Sequence, residues 1–312
     1  MQSINPIKNS LWTEKHRPAK LQDYIGNEFL KDTIQRYIEQ DDIPHLLFYA
    51  RAGTGKTTLG KIIVNSIDCD VLYINASDEN NVETIRTKIK SFVSSVGFKK
   101  WKVVFLDESD YLTSNAQAVL RNMMEQFSKN SRFILTCNYP EKIIDPIQSR
   151  CSVFEVYPPS KKDVAVRLVS ILNEEGVQYD NKDVAVVVNN SYPDIRRVIS
   201  SAQRQVVDGK LVLTKQAVME IDYMIKILEQ LKTGASAKDM YTNIRQIIAD
   251  SKVRTFDDLY RFLYDNLDDF APNGKQAAVI LEIAKAMRED MNCVDKEINI
   301  MAMFVEIISN LK

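Results

Sequence analysis

Cysteine is scarce in this chain: its 312 residues contain Cys69, Cys137, Cys151 and Cys293 and no others. None stands at CxxC spacing from another. Neither a zinc-ligand framework nor a disulfide scaffold is therefore expected, and the usage fits a reducing, cytosol-like compartment. Long apolar runs are missing as well. Nothing approaches the roughly 18 residues that a membrane span needs, and the N-terminus shows no signal-peptide pattern. Low-complexity segments and short repeats are also lacking. Nor does charge of one sign dominate, with 41 Lys+Arg against 42 Asp+Glu and a formal net charge of −1. The distribution says more than the total. Residues 220–312 carry 12 Lys+Arg and 16 Asp+Glu, against 29 and 26 in residues 1–219. A polyanionic partner is expected to touch the first part and avoid the last.

What is present is the make-up of a globular protein, 45% hydrophobic and 27% charged. The length allows two or three domains with well-buried cores. Within it, the apolar run Leu46-Leu47-Phe48-Tyr49 leads into Ala50-Arg51-Ala52-Gly53-Thr54-Gly55-Lys56-Thr57-Thr58. A buried strand that enters a small glycine-bearing loop and opens a helix at Lys-Thr is how a P-loop is built. The loop turns its N–H groups around phosphate oxygens, and the helix N-terminus adds its dipole field. Gly53, Thr54, Gly55 and Thr58 belong to this cradle. Lys56 would bridge the β- and γ-phosphates of ATP, and the Thr57 hydroxyl would hold Mg²⁺. Ala50 stands where the motif has its first glycine, which makes the tightest part of the turn less permissive.

The second constellation is Val103-Val104-Phe105-Leu106-Asp107-Glu108. Four apolar residues followed by two carboxylates place an acidic pair at the C-terminal end of a buried strand, beside the P-loop. Asp107 would hold Mg²⁺, mostly through water, and Glu108 would polarise the attacking water. An Asp-Glu turn is common at strand ends. Here a P-loop precedes it with another strand, 71–75, between them, and that arrangement points to ATP hydrolysis.

Residues 1–158 alternate strand and helix, the pattern of a parallel α/β sheet. Strands are expected at 46–49, 71–75, 103–106, 132–136 and 153–157, and helices at 27–40, 56–67, 82–96 and 115–128. Pro158-Pro159 closes this block. Helices follow at 160–175, opened by a capping-box-like Ser160-Lys161-Lys162-Asp163, then at 181–190 and 193–208, with a short one near 214–219. From about Ile221 the chain is helical to its end, with breaks near Gly234, at 251–255 and at 271–274. The expected organisation is an α/β nucleotide-binding domain at 1–158, a small helical lid at 159–219 and an all-α domain at 220–312.

The separated segments Trp12 to Pro18, Asn75 to Glu79, Ser149 to Cys151 and Pro193 to Arg197 together resemble the small ATP-hydrolysing subunit of sliding-clamp loaders in the AAA+ superfamily, and the resemblance covers essentially the whole length. Trp12-Thr13-Glu14-Lys15-His16-Arg17-Pro18 looks like the family's WxEKYRP segment, and Asn75-Ala76-Ser77-Asp78-Glu79 is similar to its NASDE run. Ser149-Arg150-Cys151 matches the Ser-Arg-Cys signature, and Pro193-Asp194-Ile195-Arg196-Arg197 is similar to the sensor-2 motif of the lid. Ala50-Arg51-Ala52 replaces the usual Gly-Pro-Pro and His16 the usual Tyr. The cysteine-rich zinc module of bacterial subunits is missing, so the resemblance lies nearer the eukaryotic, archaeal or T4-like phage subunits.

The resemblance implies ATP and Mg²⁺ as cofactors. It implies as partners the other loader subunits in a pentameric ring, the sliding clamp, primer–template DNA and, indirectly, the replicative polymerase, with no membrane. It also implies a cytoplasmic location, of the host for a phage protein, or a nuclear one for a eukaryotic protein. Thr13, Glu14, Lys15, His16 and Ile25 would wall the adenine. Asn138, after the strand at 132–136, resembles sensor 1, where a neutral amide orients water and touches the γ-phosphate. Arg196 resembles sensor 2, although spacing alone leaves Arg197 equally placed. Arg150 enters a strand, and P-loops lie at the other strand ends. It is badly placed for its own nucleotide, and the family reading makes it an arginine finger acting on a neighbouring subunit.

DNA contact rests on less. Ile85, Ile89 and Phe92 make one apolar face of the helix at 82–96, with Arg86, Lys88 and Lys90 elsewhere on it. That pattern suits a phosphate-tracking helix and equally a solvated face. Gln117, Arg121 and Glu125 form a polar stripe on the next helix, with Arg121 the DNA candidate. Ser114-Asn115-Ala116-Gln117 reads equally as a capping box. Two rival functions stand beside the loader ATPase: another AAA+ DNA-remodelling ATPase, such as a branch-migration motor or initiator, and a non-catalytic structural subunit of a loader. The first usually appends a basic C-terminal domain, whereas residues 220–312 are net acidic. The second loses its P-loop lysine or catalytic Glu, and this chain keeps both.

Overall fold

The computed structural model describes residues 11–311 apart from 214, 252, 254, 273 and 291. The chain divides into two compact units, Met1–Leu211 and Val212–Lys312. The first opens with the short helix α1 (Trp12–Lys15) and α2 (Glu28–Glu39), followed by β1 (Leu46–Tyr49) and α3 (Lys56–Ser66). Next come β2 (Cys69–Asn75), α4 (Val82–Ser94), β3 (Trp101–Asp107), α5 (Ser114–Gln126), β4 (Ser131–Cys137), α6 (Asp145–Gln148) and β5 (Ser152–Glu155). The five strands form one sheet in the order β2-β3-β4-β1-β5, every neighbouring pair parallel.

The strands read as near-continuous apolar runs because helices cover both faces of the sheet. Leu46, Phe48, Val103, Phe105 and Ile134 face one core with Leu59, Ile62 and Ile63 of α3. The intervening Leu47, Val104, Leu106, Phe133 and Leu135 face the other, with Ile85 and Ile89 of α4 and Leu120 of α5. Most of these side chains are wholly excluded from solvent, each worth about 1.5–3 kcal/mol of burial. Gly60, inside α3, looks out of place on propensity. A methyl there would lie 2.5 Å from Phe105 Cζ, so the glycine is what lets α3 approach β3.

This layering carries three strand ends to one edge. Tyr49 stands opposite Cys137 and Asn75 opposite Asp107, so the loop after β1, the acidic pair after β3 and Asn138 after β4 open on the same side. On α4 the apolar face differs in detail from expectation: Val93 is fully buried and Phe92 only packs against the cluster.

The first unit continues with α7 (Lys161–Glu174), α8 (Asn181–Ser191) and α9 (Ile195–Arg204). Ser160 caps α7 by accepting the Asp163 N–H at 3.1 Å. The helix expected over 193–208 stops at Arg204, and a hairpin of β6 (Val206–Val207) and β7 (Lys210–Leu211) takes its place. Asp208 and Gly209 both have positive φ, 48° and 74°, the two-residue turn that an Asp-Gly pair favours. That local signal overrides the helical periodicity.

The second unit consists of α10 (Lys215–Lys232), α11 (Ala237–Ser251), α12 (Asp257–Asp265), α13 (Leu267–Phe270), α14 (Gln276–Asp290) and α15 (Lys296–Leu311). The separate short helix expected near 214–219 is the first turn or so of α10, which runs unbroken through the position assigned to the lid boundary. Ile227, Ile244, Leu259, Val279, Ile300 and Phe304 form the centre of its core. Tyr260 donates to Asp290 at 3.3 Å and accepts from Asn299 at 3.1 Å, tying α12, α14 and α15 by a buried polar contact.

Candidate active site

At the C-terminal edge of the first unit's sheet lies a cavity of about 1010 Å³, open to solvent. Its floor is the loop between β1 and α3. Gly53 and Gly55 have φ of 75° and 101°, conformations in which a side chain is strained. Ala50, at the position of the missing first glycine, does not have positive φ, so its methyl costs the turn nothing. No side chain caps α3 at Gly55. The first-turn N–H groups of α3 lack intrahelical acceptors, which leaves an uncapped helix start beneath the cavity. That is the arrangement an anionic phosphate satisfies.

Lys56 is buried at the start of α3. Its Nζ donates to Ala50 O and Arg51 O at 2.9 Å each and to Asn138 Oδ1 at 2.8 Å. Burial lowers its pKa from the ordinary lysine value, with Cys137, Asp107 and Asp110 acting the other way. The Thr57 hydroxyl donates to Asp107 at 2.8 and 3.0 Å, so two hard oxygen donors stand together, the donor type that Mg²⁺ selects. Asp107 also accepts from Tyr73 at 2.8 Å and from the Thr136 hydroxyl. Burial and the Asp107 carboxylate raise the Tyr73 pKa, so this phenol stays a donor.

Glu108 adopts φ 55°, ψ 43°, a left-handed conformation uncommon for glutamate. Its N–H donates to Thr136 Oγ1 at 3.1 Å. Thr136 thus holds both members of the acidic pair, and the turn sets Glu108 on the cavity wall beside Asp107. Asn138 is gripped from both ends: its amide oxygen by Lys56, and its backbone N–H by Asp110 Oδ2 at 3.3 Å.

The opposite wall comes from the N-terminal segment and the helices α7 and α9. Thr13, His16 and Ile25 line it, joined by Arg17, Pro18, Tyr24, Arg167, Ile195, Arg196 and Ile199. Between the two arginines that spacing left open, Arg196 lines the cavity and Arg197 does not. Glu14 and Lys15 do not line it either. Glu14 turns to Arg17, Oε1 to Nη2 at 2.5 Å, and that hydrogen bond lowers the Glu14 pKa. Lys15 pairs with Glu175 at 2.7 Å. Alternate residues of a short helix face opposite ways, so a four-residue run cannot wall one side. His16 is buried between Nδ1···Glu174 Oε2 at 3.1 Å and Nε2···Glu175 Oε1 at 2.5 Å, and its carbonyl accepts from Arg167 at 2.9 Å. The N-terminal segment is thereby clasped to α7.

Arg150 lies outside this cavity, before β5. Nη1 donates to Pro146 O at 2.5 Å and Nη2 pairs with Glu125. Of the polar stripe on α5, Gln117 is not solvated. It is 2% exposed, donates to Leu112 O and Lys142 O, and accepts from Ile144 N–H at 2.9 Å. The cap of α5 is Thr113, bonded to Ala116 N–H at 3.3 Å, and not Ser114. Arg86, Lys88 and Lys90 are exposed on α4, the first two paired with Glu83 at 3.8 Å and Glu79 at 2.6 Å. Arg121 bonds Asn122 at 2.8 Å.

Tyr73, Thr136, Asp110, Tyr24 and Arg167 belong to the site without being apparent from motif or spacing. Tyr73 had a signal, being a polar-tipped residue within the apolar stretch 71–74, on the strand that pairs with the acidic one. The others stand at unremarkable positions and are brought in by the chain's path.

A parallel sheet with an uncapped phosphate cradle, a Thr–Asp pair and a neighbouring glutamate defines a P-loop ATPase. The family described as "ATPase family associated with various cellular activities (AAA)" matches residues 46–158. The replication factor C small subunit of Sulfurisphaera tokodaii is 36% identical over 287 residues, 83% of this chain and 88% of that one. That of Saccharolobus solfataricus is 34% identical over 291 residues, 84% and 88%. That of Halobacterium salinarum is 42% identical over 211 residues, 66% of each chain. The Thermotoga maritima RuvB Holliday junction branch migration motor has a TM-score of 0.55 at 16% identity, covering 80% of this chain and 90% of that one, a likeness of fold alone. The chain belongs to the replication factor C small-subunit family, the clamp-loader ATPases of DNA replication.

Proposed function

We propose that this chain is an ATP-hydrolysing subunit of a clamp loader, which opens a sliding clamp and places it on primer–template DNA. The observation that carries the reading is the convergence of Lys56, Thr57, Asp107, Glu108, Asn138 and Arg196 on one cavity. Lys56 trades its loop carbonyls for the β- and γ-phosphate oxygens, because charged acceptors bind an ammonium more strongly. Thr57 and Asp107 are the residues that would hold Mg²⁺, which when bound neutralises phosphate charge. Glu108 accepts the proton of the attacking water. Asn138, freed from Lys56, orients that water, and Arg196 reaches the γ-phosphate from α9.

The helices α7 to α9 act as a lid and the second unit as a collar through which subunits associate in a ring. Arg150 serves the cavity of the adjacent subunit, and α4 with Arg121 of α5 faces the DNA backbone. The test is the ATPase rate of the chain assembled with its partner subunits. Clamp and primer–template DNA together should raise the rate well above that of the isolated chain. An assembly indifferent to both overturns the reading.

A further inference from the structure

The lid helix α9 and the P-loop meet at Gly53, where three observations coincide. Asp194 caps α9, its Oδ1 accepting the Arg197 N–H at 2.9 Å. The Ile195 N–H, which an ordinary helix start would give to water, donates instead to Gly53 O at 3.2 Å. The Asp194 carboxylate also lies against Gly53 itself: a methyl added there would sit 1.9 Å from Oδ1 and 2.3 Å from Cγ. The P-loop glycine is thus the seat of the lid helix as well as a turn residue.

We propose that Asp194 is a positioning residue that fastens α9 to the P-loop at Gly53 and so holds Arg196 at the cavity. Arg196 stands between Ile195, which grips Gly53, and Arg197, which is held by the Asp194 cap. With both of its neighbours pinned, its backbone has little freedom to turn. Any shift of the loop around phosphate passes directly to the residue that carries the guanidinium. Asp194 is not among the residues lining the cavity, so it acts through Arg196 and not on the nucleotide. The route through Arg196 rests on the reading of that arginine as the lid's contact with the γ-phosphate. The fastening itself does not.

The experiment compares Asp194→Ala and Asp194→Asn with the wild type, in the assembly with partner subunits, by kcat, KM for ATP and thermal unfolding. Asn keeps an acceptor of the same reach and caps helices as well as Asp. Asp194→Ala is expected to lower kcat about tenfold or more, as a misplaced transition-state contact does, with a smaller change in KM. Asp194→Asn should restore most of the rate. In an Arg196→Ala background, Asp194→Ala should cost nothing further in kcat, since residues acting through one another are not additive. A helix cap that only stabilises the lid would cost the same factor in both backgrounds, and that result overturns the proposal. So does a defect in Asp194→Asn equal to that of Asp194→Ala.

Hydrogen exchange separates the fastening from the arginine reading. Asp194→Ala should speed exchange both at the start of α9 and in the 51–55 loop of the nucleotide-free chain. If Arg196→Ala leaves kcat unchanged while the loop exchanges faster in Asp194→Ala, the arginine assignment fails and the fastening stands. Unaltered exchange in the loop overturns the fastening.

Discussion

The Lys56 ammonium donates to the Asn138 amide oxygen at 2.8 Å, and its remaining N–H groups go to the Ala50 and Arg51 carbonyls. Every proton of the cation is engaged by a neutral acceptor. Under the proposed function, a phosphate arriving here would replace those acceptors by charged ones, a favourable exchange, and would release the amide of Asn138. The residue proposed to hold the nucleotide and the one proposed to orient the attacking water thus share a hydrogen bond.

The roles proposed for Lys56 and Glu108 predict different losses at the two positions. Lys56→Ala removes the cation and should weaken ATP binding, measured by titration with a fluorescent analogue. Glu108→Gln keeps the size and the left-handed turn, so it should bind ATP normally and hydrolyse it about 10²–10⁴-fold more slowly, the usual worth of a positioned base. Near-normal turnover of Glu108→Gln would remove Glu108 from the proton-accepting role.

Arg150 is predicted to act between subunits. Arg150→Ala and Glu108→Gln should each assemble and hydrolyse poorly. Mixed assemblies, in which one variant's intact Glu108 meets the other's intact Arg150, should regain part of the rate. An arginine finger is worth on the order of 10³-fold or more, so even sparse productive interfaces would be measurable. Absence of recovery in assemblies shown by mass to contain both variants would return Arg150 to a role within its own subunit.

The exposed cations of α4 are predicted to serve DNA. Arg86→Glu combined with Lys90→Glu should reduce stimulation of the ATPase by primer–template DNA while leaving ATP binding intact. The salt dependence of the remaining stimulation should become shallower, because fewer phosphates are neutralised. An unchanged DNA response in the double variant would make this a solvated helix face.

The N-terminal clasp is predicted to loosen in acid. Lys15 beside Glu175 holds that carboxyl below its ordinary value of 4.5, against the opposing effect of burial. A depressed carboxylate pKa stabilises the clasp fully above the unfolded value and loses that contribution as pH falls through the lower folded one. The pair is partly exposed, so its worth is at most about 1 kcal/mol. Emission of Trp12, which is buried in α1, should shift to the red below about pH 4.5, before global unfolding. Lys15→Ala should move that shift to higher pH, and a transition that does not move would detach the clasp from this ion pair.

Much of the fold is legible in the residue pattern. The strands around 46–49, 103–106 and 132–136 are apolar on both faces, and a short buried run bounded by turn residues has few other fates in an α/β protein. The cradle and the Asp107-Glu108 pair follow from what stands at the ends of those runs, whereas Asn138 and Arg150 are singled out by the family resemblance. The helix expected over 193–208 shows where periodicity gives way, since two positive-φ residues at Asp208-Gly209 turn the chain into a hairpin. Gln117 shows another limit: spacing places it on a polar stripe of α5, and the approach of residues 142–144 buries it.

Sequence by itself determined most of the elements, the order in which they alternate and the glycine-bearing loop proposed to cradle phosphate, because those depend on near neighbours along the chain. Only the tertiary structure decided that Thr136 ties together Asp107 and Glu108, that His16 sits between Glu174 and Glu175, and that Asp194 rests on Gly53. These partners are about 30 to 160 residues apart. No local periodicity encodes such contacts. They exist because burying both faces of one sheet leaves the strand ends, the N-terminal segment and the start of α9 a single edge on which to meet.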